Sequence, residues 1–121
     1  MNTAIWILQV LVALAFLGAG LAKLSKPKNP AMAWTQDFEP GTIRLIGLAE
    51  VLGALGLILP AAFGVLPWLT PVAAIALTVL MLGATSVHLR RRETPAPTVM
   101  LALLALLVFA GRFWVAPLVS A

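Results

Sequence analysis

Hydrophobic residues make up 62% of this 121-residue chain and charged residues only 10%. A soluble domain carries about 25% charged residues, so this chain cannot cover a water-facing surface, and a soluble globular fold is excluded. Its formal net charge of +4, from eight Lys and Arg against four Asp and Glu, gathers at positions 23–28 and 90–92, beside apolar runs. That placement suits topology signals and lipid-headgroup contacts rather than a nucleic-acid stripe.

The residue inventory removes further classes of chemistry. There is no cysteine, which excludes disulfides, thiolate metal sites, iron–sulfur clusters and dithiol relays. A single histidine is too few for a zinc or haem site within one chain. No metal centre is expected.

A helix crossing a bilayer needs about 20 mostly apolar residues. The first such run covers about 4–24. Its Ala-Gly-Leu-Ala before Lys23 resembles a signal cleavage site, but no Lys or Arg precedes the run, and it is long for a signal peptide; it is expected to remain as helix one. The connection 25–41 carries three prolines, with Trp34 and Phe38 set among charges, as at a membrane–water interface. Thr42 is placed to cap helix two, about 43–59, with a stop near Pro60. An uncharged hairpin, 60–67, follows. Thr70-Pro71 predicts the start of helix three, about 70–88, and Thr94-Pro95 that of helix four, about 97–115. The expected fold is all-α, a four-helix transmembrane bundle with short loops, forming one domain over 1–121.

Four crossings put both charged loops on one face. Lys23, Lys26, Lys28, Arg44 and Arg90, Arg91 and Arg92 lie there, while the opposite face has Arg112 nearby. The positive-inside bias then makes the loaded face cytoplasmic, with both termini outside, in an integral plasma (inner) membrane protein.

Glu50 is the single charge between Arg44 and His88. An ionisable residue inside a span is costly to keep and is a functional candidate by default. At about 1.5 Å rise per residue, Glu50, Lys23, Arg44 and His88 all fall in the inner half of the bundle. Gly47, Gly53 and Ala54 share the face of Glu50, so the acid points to a helix contact. Thr78, Met81, Thr85 and His88 form one face of helix three. Ala15, Gly18, Ala19 and Ala22 form a small-residue strip on helix one. The ligand- or proton-binding candidates are therefore Glu50, His88, Lys23 and Arg44; no catalytic residue is assigned. The bland alternatives are a structural pair for Glu50, an interfacial cap for His88 and snorkelling for Lys23 and Arg112. Gln9 is placed to bond across helices or to face a small pocket.

The segment Gly20-Leu21-Ala22-Lys23-Leu24, the run 46–60 (IGLAEVLGALGLILP), His88 before basic residues, and Gly111-Arg112 together resemble the DoxX-like family along the whole chain. The resemblance marks Lys23, Glu50 and His88 as the family-like polar residues. It implies a small four-helix membrane protein in a group that includes a subunit of an archaeal thiosulfate:quinone oxidoreductase, oxidative-stress proteins and a receptor-assembly chaperone. Related methylamine-utilisation proteins carry cysteines; this chain has none, so a thiol-redox role is not implied.

Two functions compete. One is a non-catalytic accessory or assembly subunit, partnered by the bilayer and by another membrane protein or a second copy, with no nucleic acid and no resident cofactor. The other is a quinone- or lipid-binding redox subunit using the Glu/His/Lys cluster. A lipid-directed enzyme and a transporter rank below both, and the first is the expectation.

Overall fold

The computed structural model describes residues 2–30 and 32–117. Its four long helices are α1 (Asn2–Ser25), α2 (Pro40–Phe63), α3 (Leu69–Arg90) and α4 (Ala96–Ala110), the last prolonged by a π-helical turn, Gly111–Val115. Each span is long and apolar enough to cross a bilayer. A 3-10 helix, Ala33–Asp37, breaks the first connection, and no strand occurs among the described residues. Each helix packs on the next and α4 returns to α1, the ring of an up-and-down bundle with short loops.

Phe16, Ile43, Leu57, Ala74, Leu77, Ala105 and Val108 are fully buried at its centre. Leu21, Leu45, Leu52, Val79, Leu82, Leu103 and Leu107 stand exposed on the outward faces. In water that surface would drive aggregation; against acyl chains it is the surface required, because every helix satisfies its own backbone.

Two helix starts differ from expectation. Thr42 does not cap α2, which begins earlier, at Pro40, with Glu39 as the preceding residue; the fixed φ of proline suits the first helical position. Thr70 falls inside the first turn of α3 rather than capping it.

Nor does α2 stop at Pro60. It runs on to Phe63 and ends at Gly64, whose φ of 65° is left-handed, a conformation glycine adopts without penalty. Proline lacks the N–H that would bond the carbonyl four residues earlier, here that of Gly56. The Thr70 hydroxyl donates to Gly56 O at 3.2 Å, so the displaced helix three residue satisfies the carbonyl that Pro60 leaves free.

The contact strip of α1 is also not the one expected. Gly18, Ala15 and Ala22 are exposed and nothing approaches Gly18 within 4 Å. The buried residues are Ile5, Gln9, Val12, Ala13, Phe16 and Gly20. The face shifts because a helix apolar on every side has no stripe to set its rotation.

Candidate functional site

The site starts from a backbone contact. A Cβ added to Gly20 would lie 2.6 Å from the Gly47 carbonyl oxygen, and one added to Gly47 would lie 2.7 Å from that of Gly20. Glycine at both positions lets α1 and α2 touch, as small residues do at membrane helix contacts. Lys23 follows Gly20 by three residues and Glu50 follows Gly47 by three, so the two side chains rise together from the crossing.

They meet. Lys23 Nζ lies 2.8 Å from Glu50 Oε1, with side-chain exposures of 13% and 1%. The acid is inside the bundle and the ammonium reaches toward the interface. Lys23 Nζ also stands 5.7 Å from the centroid of the Trp34 ring, within cation–π range.

The pair borders a cavity of about 310 Å³. All four helices and the first connection contribute to its wall, including Ala19, Ile46, Met81, Leu101, Trp34 and Phe38. His88 and Thr98 add polar atoms on the α3–α4 side. The result is a mostly apolar chamber with its charge concentrated at one side, the usual make-up of a small-molecule site.

The 3-10 helix forms the cover. Trp34 packs edge-on to Phe38 at 6.0 Å and to His88 at 6.4 Å between ring centroids. Thr35 Oγ1 donates to Met32 O at 2.7 Å, and Lys28 Nζ donates to Thr35 O at 2.8 Å. Arg91 binds Asp37 through a guanidinium–carboxylate contact, which fastens the cover to the end of α3. His88 Nδ1 lies 3.0 Å from Glu93 Oε1, and Arg91 Nε is 3.3 Å from the same oxygen. Asp37, Arg91 and Glu93 lie outside the spans, and His88 lies in the last turn of α3. The His88 hydrogen bond, followed by Arg91, holds the Glu93 carboxyl below its ordinary value. The Asp37 hydrogen bond raises the Arg91 guanidinium further.

The four candidate residues therefore separate. Lys23 and Glu50 are in contact, and His88 lies on the same cavity but bonds to Glu93. Arg44 does not join them: it is exposed, and no ion pair or hydrogen bond ties it to Glu50. Six residues at 3.6 per turn place it about 120° around α2 from Glu50, facing the headgroup layer. On α3, Met81 reaches the cavity, but Thr78 and Thr85 turn their hydroxyls back to Ala74 O and Met81 O at 2.8 Å each. Thr85 also meets Thr98 at 2.9 Å across to α4. Among the described residues no group of His, Asp and Glu is arranged to hold a metal ion.

A second polar centre occupies the far end. Arg112 does not snorkel; it is 2% exposed. Its Nε donates to Gln9 Oε1 at 2.8 Å, and its Nη1 donates to Asn2 Oδ1 at 2.6 Å and Ala116 O at 3.1 Å. Gln9 in turn donates through Nε2 to Leu57 O. The chain from α4 through α1 to α2 closes that end of the ring. A depth count would have paired Gln9 with Arg112, since both lie near the same membrane face.

A family model described as the DoxX-like family matches residues 7–110. The chain belongs to the DoxX-like family. The match takes in the Lys23–Glu50 pair, His88 and the whole cavity wall, and stops just before Arg112. No curated protein and no solved structure matches this DoxX-like chain.

Proposed function

We propose that this DoxX-like protein binds the headgroup of a quinone-class lipid in the chamber beside Glu50, as a small ligand-binding subunit of a membrane complex. The observation that carries this reading is the chamber itself. A purely structural ion pair has no need of about 310 Å³ of space against it, because packing usually closes such a gap. A quinone head is flat with apolar faces, and the carbonyl oxygens at its edge accept hydrogen bonds. Lys23 is placed to donate to one such oxygen, and Glu50 to hold the ammonium in position. His88 offers a second polar group on the facing wall. Trp34 and Phe38 suit a flat ring. The positive-inside bias of the basic loops favours a chamber in the cytoplasmic leaflet, with both termini outside.

A saturable quench of Trp34 fluorescence by a short-chain ubiquinone analogue tests the reading, with Trp34→Phe identifying the signal. Glu50→Gln should weaken the binding about tenfold, the worth of one charge-assisted hydrogen bond. Equal quenching in wild type and Glu50→Gln would remove the proposal.

The accessory or assembly role without a ligand has its own support. An open groove of about 550 Å³ lies between α2 and α3; Gly53 and Gly56 there already receive Leu77 and Ala73 of α3, while the exposed Ala49 and Ala76 leave room for a helix of another chain. Under that reading Glu50→Gln changes complex recovery and leaves quinone affinity unmeasurable in both proteins.

A further inference from the structure

Among the described residues no acidic side chain balances Arg112. The four acidic side chains of the chain are Asp37, Glu39, Glu50 and Glu93. Asp37 binds Arg91, Glu50 binds Lys23, and Glu93 binds His88 and Arg91, while Glu39 precedes α2 at that same end. Among the described residues, the guanidinium at the opposite end meets neutral partners: Gln9, Asn2 and a backbone carbonyl, with the Trp6 ring 5.2 Å away. Burying a charge without a counter-charge is costly.

The same side chain leaves one nitrogen free. Arg112 Nη2 is buried and has no hydrogen-bond partner among the described residues. Arg112 also lines a half-open cavity of about 350 Å³, otherwise walled by apolar groups that include Trp68, Val72, Ile75, Phe109 and Phe113. A cationic donor unpaired among the described residues and an apolar slot therefore coincide in the last turn of a span. The π-helical turn that carries Arg112 is closed by Ala116 N donating to Gly111 O at 2.7 Å, and such turns often accompany sites.

We infer that this end of the bundle binds an anionic amphiphile, its oxyanion on Arg112 and its hydrocarbon along Trp68, Ile75 and Phe113. The recognising chemistry is a single negative oxygen group, carboxylate or phosphate, joined to an apolar chain. Charge neutralisation and the free Nη2 supply the headgroup contact. Gln9, Asn2 and the Ala116 carbonyl hold the guanidinium plane and leave the buried Nη2 without a partner among the described residues. The site is separate from the Glu50 chamber, and neither depends on the other.

The test uses the full chain in phosphatidylcholine nanodiscs, titrated with oleate in one arm and phosphatidylglycerol in the other. Native mass spectrometry counts the retained amphiphile. Wild type is expected to retain at least one of them about tenfold more tightly than Arg112→Gln. Retention in the oleate arm assigns a carboxylate, and retention in the phosphatidylglycerol arm assigns a phosphate headgroup. Ile75→Trp, which fills the slot and leaves the guanidinium contacts in place, is expected to lose the same binding, and it decides the matter where Arg112→Gln does not fold. Glu50→Gln should leave this binding unchanged. Retention of neither amphiphile, or equal retention by wild type and Ile75→Trp, overturns the inference.

Discussion

The two ends of this bundle bury charge in opposite ways. At the basic end, Glu50 has Lys23 as a full counter-ion and open space beside it. At the other end, Arg112 has no counter-ion among the described residues but is held by Gln9, Asn2 and the Ala116 carbonyl. The first arrangement balances charge and leaves room. The second fixes geometry and leaves charge over. Polar groups in a bilayer thus serve different ends according to which of the two, charge or donor geometry, is satisfied.

The largest expected effect comes from removing half of the charged pair. Lys23→Met strands the buried Glu50 and should cost about 3 kcal/mol, read as a drop in thermal unfolding temperature in detergent. Replacing both residues, Lys23→Met with Glu50→Leu, should recover most of that loss. A double variant no more stable than the single one would show that the ion pair is not what balances Glu50.

At the opposite end, Gln9→Leu removes a donor to Leu57 O and an acceptor for Arg112 at once. A loss of about 1–2 kcal/mol is expected, measured in the same unfolding assay. A neutral result would mean that the cross-helix chain is not holding α1, α2 and α4 together. Thr70→Val should cost about 0.6 kcal/mol, the average for such membrane hydrogen bonds. Its effect should vanish in a Pro60→Ala background, where the helix takes back the Gly56 carbonyl.

The smallest effect concerns the cover over the chamber and depends on pH. Glu93 sits below its ordinary value of 4.5 because of His88 first and Arg91 next. A depressed folded-state value stabilises the cover above that ordinary value, and the contribution is lost as pH falls through the lowered one. Amide exchange across 32–38 should therefore speed up below pH 4.5, and Glu93→Gln should abolish that pH step. A step of equal size in Glu93→Gln would assign it to another group.

Much of the architecture could be read from the chain because a bilayer dictates span length and apolarity. Four spans, their order and the small residues beside Glu50 follow from that rule, and Lys23 and Glu50 fall at matching depth by counting rise. Helix rotation was less accessible. The spans are apolar on every side, so nothing in the pattern distinguished Gly20 from Gly18 as the contact, whereas the six-residue spacing of Arg44 from Glu50 already turns it about 120° away. The passage of α2 through Pro60 was hidden for another reason: its compensating donor, Thr70, comes from a different helix. For Arg112, snorkelling and burial differ only in what lies across the bundle, and the matching depth of Gln9 is the one signal of burial that the sequence carries.

The proposed site for a quinone headgroup is the chamber beside Lys23 and Glu50. Photolabelling the protein in nanodiscs with an azido-quinone and mapping the modified residues tests this most directly. Labels on Trp34, Met32 or Met81, competed by unlabelled quinone and lost in Glu50→Gln, are the predicted result. Labels confined to lipid-facing residues such as Leu21, Leu45 and Leu82, indifferent to competitor and to Glu50, would contradict it.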